Sequence, residues 1–152
     1  MHYQGTQLIS DLSLSQNIAY SLQYLEYLQQ TIEELCLSEV LMCQTIKSYV
    51  ITSLGIVECL LLQVNKASGG TEYKLSSIIS RITKKQLLGP DVRPYEDLDR
   101  FRTLRNKVHI NDSRDELGTD YESFGKRELS EIKRVLRDLV RAQCFGLTDE
   151  LC

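Results

Sequence analysis

Between Leu98 and His109 the chain reads Leu98-Asp99-Arg100-Phe101-Arg102-Thr103-Leu104-Arg105-Asn106-Lys107-Val108-His109. At about 100° per residue, Phe101, Leu104 and Val108 fall on one helix face and turn toward a core. Arg102, Arg105 and His109 share a second arc roughly a quarter turn away, so two guanidinium groups and an imidazole meet at the edge of that core. Positive charge is costly where water is partly excluded unless something negative meets it. The sequence supplies one carboxylate of this kind: Glu58, within Ile56-Val57-Glu58-Cys59-Leu60, is expected to turn into the bundle and pair with Arg102 or Arg105.

The set suits work on a phosphodiester. Histidine titrates near neutrality and moves a proton, while arginine offers a planar fork of donors to phosphate oxygens whose charge grows in the transition state. No metal or other cofactor is required. The only other histidine, His2, lies at the chain terminus, so His109 is the imidazole that the fold can hold in place. A purely structural reading stands beside this one, in which arginine and histidine near a helix end satisfy carbonyls and a neighbouring carboxylate.

The run Leu104-Arg105-Asn106-Lys107-Val108-His109-Ile110 resembles the signature of the HEPN superfamily (higher eukaryotes and prokaryotes nucleotide-binding domains). The resemblance implies an all-α bundle of four to five helices, usually dimeric, with a metal-independent ribonuclease site near the end of a late helix. It suits a toxin or an anti-phage defence component, restrained by a neutralising or partner protein. Carried onto this chain, it assigns catalysis to Arg102, Arg105, Asn106 and His109; Lys107, Arg81 and Lys85, in the basic segment around them, are read as substrate contacts. The family spaces its Arg and His by four to six residues. Three lie between Arg105 and His109 and six between Arg102 and His109. Either Arg102 and His109 form the pair with Arg105 and Asn106 assisting, or the Arg105 set is a shortened variant. Many members are non-catalytic, which makes a helical dimerisation, nucleotide-binding or partner-binding module the alternative.

The elements that must position these residues follow from periodicity. Ile18, Leu22, Leu25, Leu28, Ile32 and Leu35 recur at spacings of three and four and predict a helix from Leu14 to Leu35, capped by Ser13 or Ser15. Val40, Ile46, Val50, Leu54, Val57, Leu61 and Val64 predict a second, ended by Ser68-Gly69-Gly70; whether the two form one kinked rod is open. Gly55 inside it is expected to admit a neighbouring helix. A third helix is read from Thr71 to Leu88, with Leu75, Ile78, Ile79 and Ile82 inward. Pro94 opens a fourth that ends at His109. After a polar loop, a last helix starts at Glu122 or Ser123 and ends near Gly146, with Leu129, Ile132, Leu136, Leu139 and Gln143 on one face.

At 152 residues, with two prolines, eight glycines and no tryptophan, the chain fits one helical domain over 1–152, with 1–13 and 147–152 as flexible ends. Five cysteines form no CxxC pair and are read as reduced, buried small residues. No unbroken apolar run approaches the ~18 residues of a membrane span, and no secretory start is visible, so a cytoplasmic, membrane-free protein is expected. The net charge is -3, yet residues 74–107 carry nine basic residues against four acids. A second basic stripe on the last helix, Lys126, Lys133, Arg134, Arg137 and Arg141, is either a solvated face or a track for a phosphate backbone. Tyr20, Tyr24 and Tyr27 at i, i+4 and i+7 are open to packing, a homodimer contact or base stacking.

Overall fold

The first two apolar patterns form separate helices. A computed structural model describes residues 12–109 and 124–141, and its regular elements are all α-helical: α1 (Leu12–Glu34), α2 (Glu39–Ala67), α3 (Leu75–Lys84), α4 (Arg93–His109) and α5 (Lys126–Arg141). The link Leu35–Ser38 breaks the rod, and Ser38 takes an extended conformation with its carbonyl accepting the first α2 bond from Met42. Ser13 and Ser15 lie inside the first turns of α1 rather than before it. Leu35 and Val40, expected to face the core, are exposed beside the break. The expected flexible ends, the Glu122 or Ser123 start, Gln143 and the Gly146 stop lie outside the described residues.

α2 is the centre of the bundle and packs against each of the other four helices; α4 also packs on α5. Its buried residues, from Ile46 to Asn65, cover about half of its circumference. It is the one described helix long and apolar enough, by length and composition, to cross a membrane, and half of its most apolar stretch is buried by its neighbours. From the flanks Ile18, Leu25, Leu28, Ile78, Ile82, Phe101, Leu104, Ile132 and Leu139 close over it.

Two helix ends are fixed by the same backbone device. At the end of α2 the Gly70 N–H reaches the Asn65 carbonyl and the Gly69 N–H reaches that of Lys66, with Gly69 at φ +79. This is the Schellman arrangement that left-handed glycine permits. α3 closes likewise, Leu87 N–H to Ile82 O and Gln86 N–H to Thr83 O, with Gln86 supplying the left-handed residue at φ 49. The helix therefore stops at Lys84 rather than running to Leu88, and it starts at Leu75 rather than Thr71. Tyr95 then ties the next turn, its hydroxyl donating to Gly89 O and accepting from Leu88 N–H. Arg93 is the first residue of α4 and Pro94 the second, where a missing N–H costs nothing. At α5 the Glu128 carboxylate reaches back to the Gly125 N–H at 2.9 Å, a capping interaction.

Two glycines on α2 and its exit should respond oppositely to an added methyl. Open space faces Gly55, where a neighbouring helix was expected, whereas a Cβ on Gly70 would stand 2.3 Å from Asn65 Oδ1. Gly55→Ala is expected to raise stability by about 0.5–1 kcal/mol through helix propensity. Gly70→Ala is expected to lower it by about 1–3 kcal/mol through overpacking. Thermal melts of the two variants check both signs.

Candidate functional site

The α4 stripe meets the carboxylate the sequence offers. Arg105 donates to Glu58 from Nε at 3.2 Å and from Nη2 at 3.5 Å, joining α4 to α2 at a half-buried position. Its Nη1 makes no hydrogen bond among the described residues. Arg102, one turn earlier, is the exposed member of the pair that sequence put forward for Glu58: its Nη1 lies 3.9 Å from Asp99. Asn106 is exposed beside Arg105. His109 closes α4, and its side chain lies outside the described residues. The inward face is formed as expected, with Phe101 and Leu104 buried and Val108 half-buried.

Lys107 faces a different neighbour. Its ammonium bonds Glu128 Oε1 at 2.7 Å and lies 5.6 Å from the centre of the Phe124 ring, a fully buried side chain that Lys47 covers from 5.7 Å. Burial pushes the Glu128 carboxyl up, but Lys107 and the Gly125 N–H more than offset this and hold it below the usual carboxylate range. Lys107 thus fastens the start of α5 to the end of α4.

Arg81 is engaged at the exit of α2. Its guanidinium donates to Asn65 Oδ1 at 3.0 Å, Ser68 Oγ at 2.6 Å and Ser68 O at 2.8 Å, with Glu72 at 3.6 Å. Asn65 lies seven residues beyond Glu58 on one side of α2, so Arg81 and Arg105 dock along one line roughly 10 Å apart. Lys85 is exposed and, with Lys84, has no acidic partner among the described residues. Both lysines border an open groove of about 720 Å³ that Arg81 shares with Ser76, Ser77 and Ser80. The structure therefore gathers Arg102, Arg105 and Asn106 on α4, and places Arg81 and Lys85 at the other end of the basic segment.

Sequence reasoning missed Asp97, whose side chain is 0% exposed. It accepts from Arg100 Nη1 at 2.7 Å and faces Arg134 Nε at 3.6 Å, while Asp138 of α5 binds Arg134 and Arg137 at 3.8 and 3.6 Å. Burial, with the neighbouring Asp138 carboxyl, pushes Asp97 from 3.8 up to about 6 against the pull of Arg100. Ionised, its Oδ2 is buried without a hydrogen-bond partner; protonated, it can donate to Asp138. The signal was an acid three residues before Arg100 on a helix whose other inward residues are apolar, which reads equally as a helix-dipole charge.

The remaining candidates separate. Tyr20, Tyr24 and Tyr27 are exposed rather than packed in the core, with the Tyr24 and Tyr27 rings stacked at 6.2 Å. Cys36, expected to be buried, is exposed in the α1–α2 link; Cys43 and Cys59 are half-buried, and burial raises the Cys59 thiol. Cys144 and Cys152 lie outside the described residues. Among the described residues no group of three or more His, Cys, Asp or Glu is placed to hold a metal ion. Compared with protein-family models, curated proteins and solved structures, the chain has no significant match in any of the three.

Asp97 makes stability depend on pH. A carboxyl whose folded pKa is raised binds its proton more tightly in the native state, so its contribution is full below pH ~4 and lost as pH rises through ~6. Asp97→Asn mimics the protonated form before Arg100, Arg134 and Asp138. Its melting temperature relative to wild type is expected to rise steadily from pH 4 to pH 7. A difference that stays level across that range would contradict this account of the site.

Proposed function

We propose that this protein is a HEPN-like helical bundle that binds RNA and cleaves it without a metal, acting as a homodimer. The observation that carries this reading is the Glu58–Arg105 pair. A carboxylate from the central helix fixes a guanidinium on the outer edge of α4 while leaving Nη1 for a phosphate oxygen. Preorganised donors of this kind act where charge develops, because they need no reorganisation during the reaction.

In the proposed reaction His109 removes the ribose 2′-hydroxyl proton, the 2′ oxygen attacks the adjacent phosphorus, and the bond to the 5′ oxygen breaks as that oxygen takes a proton. The products are a 2′,3′-cyclic phosphate and a 5′-hydroxyl. Arg105 and Arg102 stabilise the extra charge on the non-bridging oxygens, and Asn106 orients the phosphate or the imidazole. Facing motif helices from two copies would build a shared positive cleft and supply a second imidazole for the leaving oxygen. Lys85 and Arg81 extend the backbone contact on α3. A toxin or anti-phage component, held in check by a partner protein, is the role that fits such an activity.

One observation favours a second reading, a non-catalytic binding or dimerisation module. Two Arg105 nitrogens are satisfied by Glu58, as a structural strut between α2 and α4 would require.

Cleavage of a mixed RNA pool in EDTA separates the two. The wild type is expected to produce cyclic-phosphate fragments, His109→Ala and Arg105→Ala to lose them by a factor of about 100 or more, and Glu58→Gln by about tenfold. Equal thermal melts certify the fold of each variant. Intact RNA in every lane would give the binding module the lead.

A further inference from the structure

One side of α2 is left uncovered by the other described helices. Leu41, Ser48, Gly55 and Leu62 recur every seven residues and so lie along that side, with Ile51 and Cys59 between them. Leu41, Ile51 and Leu62 are 56%, 44% and 42% exposed, and open space faces Gly55. Glu58 bounds the stripe on the α4 side through its pair with Arg105. On α1, Tyr20, Tyr24 and Tyr27 are exposed across the helix from Gln29, which meets α5, so they flank the same side of the α1–α2 pair. A contiguous apolar surface of this kind marks a contact site.

The chemistry of the face selects its occupant. α1 has no Lys or Arg, and Lys47 and Glu58 are the only charges of α2 between Leu41 and Leu62. Lys47 covers Phe124 and Glu58 holds Arg105. A nucleic acid therefore finds no cation on this side, whereas two copies meet along the stripe without like-charge repulsion. The stripe is also complementary to itself. Antiparallel pairing about a two-fold axis between Ile51 and Thr52 sets Leu41 against the partner's Leu62 at both ends. Near the centre it sets Ser48 against the partner's Gly55, where small side chains let two backbones approach. From Leu41 to Leu62 the stripe is about 33 Å long and, with α1 about 10 Å away, the face spans about 650 Å² in projection, near the ~800 Å² per partner of a standard interface. We propose that two copies of this chain pair through the α1–α2 face as an antiparallel, isologous dimer. The neighbour that Gly55 lacks within one copy is then α2 of the second. The pairing follows from α1 and α2 alone, so it does not depend on RNA cleavage, and it gives the proposed homodimer a contact surface.

Sedimentation velocity of the full chain with its thiols reduced, from about 1 to 100 μM, reads the pairing directly. A reversible dimer with a Kd of about 10 μM or below is expected. Ile51→Lys places like charges beside the axis and should weaken the dimer at least about tenfold. Gly55→Leu separates a fitted contact from general stickiness, because it enlarges the apolar face yet props the two helices apart; it too should weaken pairing at least about tenfold. Both substitutions fall at exposed positions, and melts of dilute samples close to that of the wild type certify the fold. A chain still monomeric at about 100 μM, a dimer indifferent to Ile51→Lys, or tighter association of Gly55→Leu would each overturn the proposal. So would a monomer that floats with phosphatidylcholine vesicles, which would make the bare side of α2 a lipid contact. Cleavage of RNA by such a monomer would leave the nuclease reading standing without this interface.

Discussion

A helix of 29 residues whose buried side chains cover about half of its circumference is stable in water only if several neighbours share that broad face, and that demand organises this protein. α1, α3, α4 and α5 each bring an apolar face to α2. Several of the polar devices described above work at the margins of these contacts. Glu58 and Arg105 join α2 to α4 where the apolar face of α4 gives way to its basic one. Arg81 closes the carbonyl end of α2 from α3. Lys133 lies across Tyr49 between α5 and α2. Charged and polar side chains among the described residues thus help to orient helices around one buried rod.

Within that plan the acids and bases have unequal environments. Glu58 and Arg105 remain half-exposed, so their pairing costs little desolvation and leaves the guanidinium accessible. Asp97 is the opposite case, a carboxyl in full burial with two arginines on one side and a second carboxyl on the other. Opposed charges do not cancel its desolvation, and below pH ~6 a proton becomes part of the α4–α5 contact.

Much of this was legible in the sequence where periodicity and chemistry agreed. The all-α architecture, the place of α4 and its inward Phe101 and Leu104 follow from spacing, and Glu58 was found because a lone acid in an apolar run needs a partner. The pattern failed where the buried face was wider than one stripe. Ile56 and Leu60 lie off the single stripe assigned to α2, since a face shared by four neighbouring helices is wider than one stripe. Leu35 and Val40 fit their stripes but flank a break that periodicity cannot see. Asp97 escaped because an acid in a first or second turn has an ordinary electrostatic reason to be there.

The fastening of Lys107 to Glu128 and Phe124 bears on how this chain can vary over time. It brings the exit of α4 and the entry of α5 together, so the span between His109 and Phe124 begins and ends at one place held by the bundle itself. In polymer terms its closure is largely settled by contacts outside it, and doubling its length adds only about 0.6 kcal/mol of entropy cost. Descendants of this sequence can therefore lengthen that span at small entropic cost.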